Sequence, residues 1–154
     1  MLTSPVRHAH TSSAVRPGLC LDSDAGRSGP SPMAEATIMV VEDQRQVRRL
    51  TARMLRDEGY PVIEAESAEE ALFLLARRPD VRLVLTDVAM PGMDGVRLAY
   101  TVQQLYPQRR VVLMSAFVGL IAKIGIRGAP LPVLPKPFTA SQLVQKVREA
   151  LLPH

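Results

Sequence analysis

From Thr37 to Leu151 short apolar runs alternate with amphipathic stretches at helical spacing, without an internal sequence repeat. The apolar runs are Thr37-Ile38-Met39-Val40-Val41, Pro61 to Ala65, Arg82 to Thr86, Val111 to Met114, and Leu131 to Leu134. Helical patterns lie between them at Gln44 to Glu58, Ser67 to about Arg78, Val96 to Tyr106 and from Thr139 to the end. Strictly alternating strands and helices with apolar strands predict an α/β fold, a doubly wound five-stranded parallel sheet with helices on both faces. Each crossover is expected to be right-handed.

Local signals set the boundaries. Val47, Leu50, Met54 and Leu55 are read as the apolar face of the first helix, which Gly59 ends. Ser67 followed by Glu70 is a capping-box pattern, and Thr139 is placed to cap the last helix, whose apolar positions are Leu143, Val144, Val147 and Leu151. Ala116 to Pro130 is ambiguous. Phe117, Leu120, Ile121 and Ile124 fit a short helix, and Gly119, Gly125 and Gly128 weaken it.

Composition excludes several classes. Cys20 is the single cysteine, so there is no disulfide framework and no cysteine-based metal site. With no Trp, three Tyr and three Phe, stacking platforms for single-stranded nucleic acid are not expected. A net charge of +4 is too mild to argue for nucleic acid. The longest apolar run, Val111 to Ala122, is shorter than the roughly 20 residues a membrane helix needs. No nucleic-acid or membrane partner is therefore expected, and a cytoplasmic location is. Residues 1–32 are rich in Ser, Pro, Gly, Arg and His without apolar periodicity, and read as a disordered tail or an upstream start preceding Met33. The folded unit is expected at 33–154.

Polar residues fall where the strands end. Glu42-Asp43 follow the first strand, Asp87 the third, Ser115 the fourth and Lys136 the fifth. In a parallel sheet these ends share one edge, where ligand chemistry collects. Three carboxylates gathered there repel unless a cation compensates. A hard cation such as Mg²⁺, which takes oxygen ligands, would neutralise them. Lys136 adds a fixed positive charge and Ser115 a hydroxyl, which together suit a phosphoryl group arriving on a carboxylate. Taken singly, each residue has a plainer reading. Glu42-Asp43 could be an acidic pair favoured by a helix dipole, Ser115 a buried hydroxyl, Lys136 a surface charge and Asp87 a solvated loop acid.

The set Glu42-Asp43, Asp87-Val88-Ala89-Met90-Pro91-Gly92-Met93-Asp94-Gly95, Ser115-Ala116 and Lys136-Pro137-Phe138 resembles the receiver domain of two-component response regulators, over about Ala36 to Leu152. The resemblance implies strand order 2-1-3-4-5. It implies that Asp87 is the phosphoacceptor, with a sensor histidine kinase or histidine phosphotransfer protein as donor. Asp43, Asp87 and the Ala89 carbonyl would hold Mg²⁺, Glu42 would act mainly through water, Ser115 and Lys136 would meet the phosphoryl group, and Lys136-Pro137 would be cis. The chain is thus expected to be a signalling protein rather than an enzyme.

No segment remains for a DNA-binding output, so output is expected through an unidentified protein target or onward phosphorelay. The alternative is an adaptor of the same fold that acts without phosphorylation. An acid-phosphatase-like hydrolase is disfavoured, because Ala89 cannot be the second acid.

The sequence departs from the family pattern in three places. Val133 stands where a Tyr or Phe is usual. The 117–132 segment resembles receivers of hybrid histidine kinases. Ala89 and Phe117 stand where polar side chains can orient attacking water, so slow hydrolysis of the acyl phosphate is expected. Arg45, Arg48, Arg49, Arg53 and Arg56 fall on the polar side of the first helix and read as an ordinary solvated face; the resemblance implies instead that acidic residues of the kinase dock there. Phe117, Leu120, Ile121 and Ile124 could form an exposed apolar patch.

Overall fold

The computed structural model describes residues 35–121, 125–126 and 129–153. The tail expectation for residues 1–32 and the placement of Ile124 lie outside them. The elements are β1 (Thr37–Val41), α1 (Arg45–Asp57), β2 (Val62–Ala65), α2 (Ala68–Leu75), β3 (Val81–Asp87), α3 (Gly95–Leu105), β4 (Arg110–Ser115), α4 (Val118–Ile121), β5 (Gly125–Ile126), β6 (Ala129–Pro130), β7 (Val133–Pro135) and α5 (Ala140–Leu151). The main sheet has the order β2-β1-β3-β4-β7 with every pair parallel. This is the expected 2-1-3-4-5 order, with β7 as the fifth strand.

The sheet separates two apolar layers because successive strand residues point to opposite faces. Met39, Val41, Val84, Val111 and Leu113 pack against Ala68, Ala71 and Leu75 of α2 and Leu98, Ala99 and Val102 of α3. Ile38, Val40, Leu83, Leu85, Val112 and Met114 pack against Leu55 of α1 and Leu143, Val147 and Ala150 of α5. Burial of each such Leu, Ile or Val contributes roughly 1.5–3 kcal/mol. This two-sided core fixes the strand register, and with it the strand ends.

Several expectations needed correction. Leu50 is 55% exposed, and α1 instead turns Thr51, Ala52 and Leu55 inward. Thr51 and Ala52 are small enough to pack on the buried side, which aliphatic spacing alone does not reveal. Asp87 is the last residue of β3 rather than the first of a loop, and α2 ends at Leu75 rather than near Arg78. The Ser67 cap forms, but its reciprocal half shifts by one residue, since Glu70 accepts from the N–H of Glu66 at 2.7 Å. Thr139 and Gln142 form the complete capping box of α5. Between β4 and β7 there is a single helical turn and then the antiparallel pair β5–β6, a hairpin the spacing of Phe117, Leu120 and Ile121 did not reveal.

Arg109 was not singled out by the sequence. It is 5% exposed, donates to the carbonyls of Leu75 (3.0 Å) and Arg78 (3.2 Å), and stacks over the Tyr106 ring. A guanidinium is well suited here, because carbonyls at a helix C-terminus carry partial negative charge. It ties the end of α2 to the start of β4.

Candidate functional site

The site is built by register. Val41 at the end of β1 lies beside Thr86, Asp87 beside Met114, and Ser115 beside Pro135. The residues that leave these ends are therefore neighbours on one edge. Glu42, Asp43 and Asp87 each place a carboxylate oxygen within 4.8 Å of the others. Lys136 Nζ reaches across from the end of β7 to Glu42 Oε2 at 2.8 Å and Asp87 Oδ1 at 3.1 Å. The Lys136-Pro137 bond is cis, and Lys136 N–H donates to the Ser115 carbonyl at 2.9 Å.

Each group has a distinct environment. Glu42 is fully buried, and its other oxygen accepts from the Gln44 N–H at 3.1 Å. Burial pushes its carboxyl up, as does the Asp87 charge; the Lys136 and Gln44 hydrogen bonds pull back without cancelling the rise. For Lys136, burial works to lower the ammonium pKa, but the hydrogen bonds to Glu42 and Asp87 prevail and hold it above the usual lysine value. Lys136 is therefore charged at neutral pH. Asp43 is exposed, and Asp87 is 7% exposed.

Asp87 Oδ1 takes both Lys136 and the Val88 N–H (3.0 Å). Oδ2 has no hydrogen-bond partner among the described residues. No fully sealed side-chain N or O atom there lacks one, so Oδ2 keeps some contact with solvent. The backbone beneath it is fixed by Gly95, where any Cβ would overlap the Asp87 carbonyl. Ser115 Oγ accepts from the Phe117 N–H at 3.0 Å and so keeps its own hydrogen free to donate.

The donor set fits Mg²⁺. It is all oxygen, rich in carboxylate and open on the Asp43 side. Lys136 already compensates part of the charge.

Several arginines of α1 are held by acidic partners. Arg48 donates to the Glu42 carbonyl at 2.9 Å and pairs with Glu64 at 3.6 Å, while Arg56 turns to Glu64 (3.3 Å) and the Val62 carbonyl. Arg53 lies 4.0 Å from Asp57. Arg45 and Arg49 have no ion-pair partner among the described residues. They line a groove whose other wall is Glu64, Glu66 and Glu70. Of the expected apolar patch, Phe117 is 75% exposed, whereas Ile121 is buried. Among the described residues no helix is long and apolar enough to cross a membrane.

Residues 38–148 match the family described as response regulator receiver domain. The sensor kinase CckA of Brucella abortus (strain 2308) is 36% identical over 118 residues, covering 75% of this chain and 12% of that protein. The response regulator protein FleR of Pseudomonas aeruginosa is 37% identical over 118 residues, covering 75% of this chain and 25% of that one. The chain thus spans a quarter or less of the length of these relatives. Among solved structures, the receiver domain of the hybrid histidine kinase CckA superposes with a TM-score of 0.65 at 31% identity, covering 76% of this chain and 100% of that one. The receiver domain of NtrX from Brucella abortus does so with a TM-score of 0.67 at 32% identity, covering 74% and 97%. By profile, sequence and fold, this chain belongs to the response regulator receiver domains, the signalling modules of two-component systems.

Proposed function

We propose that Asp87 accepts a phosphoryl group from a sensor histidine kinase or histidine phosphotransfer protein, in a Mg²⁺-dependent reaction, and that the chain signals by protein contact or by passing the group onward. The observation that carries this is the bridge from Lys136 Nζ to Glu42 and Asp87, with Asp43 alongside and Asp87 Oδ2 left without a hydrogen-bond partner among the described residues. Oδ2 attacks phosphorus, the nitrogen–phosphorus bond of the donor phosphohistidine breaks, and its electron pair returns to the imidazole. Lys136 pairs with one phosphoryl oxygen. Ser115, whose hydroxyl hydrogen is free, donates to another.

Asp43, Asp87 and the Ala89 backbone carbonyl would hold the metal directly. Glu42, already engaged by Lys136 and Gln44, would act through water. Bound Mg²⁺ supplies neutralisation of charge between the carboxylates and the phosphoryl oxygens. The kinase would approach over Arg45 and Arg49, the arginines of α1 left without ion-pair partners.

Transfer of label from a phosphorylated kinase domain to the chain tests the reading. Label is expected on the natural protein and not on Asp87→Asn, with transfer slowed by salt and by Arg49→Glu. Equal labelling of Asp87→Asn would overturn it.

A further inference from the structure

The loop between β3 and α3 carries the Ala89 carbonyl, and its protein anchors are few. Met90 packs into the core, at 8% exposure. Between Ala89 and Asp94, the only backbone N–H with a partner among the described residues is that of Met93. Its acceptor is Glu69 Oε1 at 3.3 Å, from the first turn of α2 and 24 residues earlier in the chain. Gly92 lies beside this contact. Its φ is +77°, a conformation L side chains rarely adopt, and an added Cβ would lie 3.2 Å from the same Glu69 oxygen.

We infer that Glu69 is a positioning residue for the metal site: by accepting from Met93 it holds the Ala89–Met93 turn, and with it the Ala89 carbonyl, in place for Mg²⁺. This rests on the reading of the site given above. Glu69 touches none of the reacting atoms in that reading. It acts through the loop, as outer partners of metal ligands commonly do.

Two substitutions separate the hydrogen bond from the charge. Glu69→Gln keeps the acceptor oxygen and removes the charge; Glu69→Ala removes both. Mg²⁺ affinity is measured by titration calorimetry, and exchange of the Met93 amide hydrogen is followed by NMR in metal-free protein. The expected result is near-natural affinity for Glu69→Gln and about fivefold weaker affinity for Glu69→Ala, with faster Met93 exchange only in the latter. If both variants weaken equally, the field of the carboxylate is responsible and the positioning role is overturned. If Glu69→Ala binds Mg²⁺ as the natural protein does, the role is likewise overturned while the metal site stands. If the natural protein binds no Mg²⁺, the reading of the site fails, and the positioning role with it.

Discussion

Lys136 Nζ sits 2.8 Å from Glu42 Oε2, joining the end of the fifth strand of the main sheet to the end of β1 across 94 residues of sequence. The Glu42 side chain is wholly buried, so this ammonium and the Gln44 N–H are its compensation. Removing one partner of such a pair leaves an uncompensated charge.

Lys136→Met is expected to lower stability by about 2–4 kcal/mol at neutral pH in metal-free buffer, read from urea unfolding. Glu42 has a folded pKa raised by burial, so the folded state takes up its proton more readily than the unfolded chain. The deficit should therefore shrink as pH falls and the buried carboxyl takes up its proton. Adding Glu42→Gln to the variant should restore most of the loss. A deficit that does not change with pH or with Glu42→Gln would contradict the pairing.

Gly95→Ala tests the fixed backbone under the acceptor. The methyl would overlap the Asp87 carbonyl, which is main chain and cannot rotate away. The expected loss is about 2–4 kcal/mol in thermal or urea unfolding, against near neutrality for an unhindered Gly→Ala at a helix start. Natural stability in the variant would show that the strand end is less constrained than described.

Asp80 makes a separate pH prediction. Its hydrogen bond from Arg78 is the main cause that holds the carboxyl down to about 2, and Thr37 Oγ1 donates to it as well. A depressed carboxylate contributes stability that is complete above its unfolded value and disappears as pH falls through the folded one. The stability difference between the natural protein and Asp80→Asn should be constant from neutrality to about pH 5 and vanish between about pH 4 and 2. Much of the Arg78 and Asp80 side chains is exposed, so the difference will be small and will weaken in salt. A difference that persists unchanged at pH 2 would contradict it.

Ala89 and Phe117 are both exposed at the rim of the site and offer no group that can orient water. With Asn at 89 and Glu at 117, loss of the acyl phosphate is expected to be at least about tenfold faster, followed by phosphoprotein decay. Equal or slower decay in the double variant would contradict the role given to these positions.

The strand-end residues were legible because a parallel sheet converts sequence position into spatial position. Once five apolar runs are found, the residue after each falls on one edge. Arg109 was hidden, since its partners are backbone carbonyls, which have no signature in side-chain sequence. Glu69 was hidden for a similar reason: its partner is the N–H of Met93, brought near by a glycine turn. Which arginines of α1 are paired was not legible, because spacing shows which side a residue leaves from, not whether Glu64 on a neighbouring strand captures it. The antiparallel β5–β6 pair is not legible, because the apolar spacing of this segment also fits a helix.

The most direct measurement is intact mass after incubation with a small acyl phosphate, with and without Mg²⁺, for the natural protein and Asp87→Asn. The account predicts one added phosphoryl group that requires Mg²⁺ and is absent from the variant. A chain that binds Mg²⁺ yet gains no phosphoryl group from either the small donor or a phosphorylated kinase, or a gain that survives in Asp87→Asn, would contradict it.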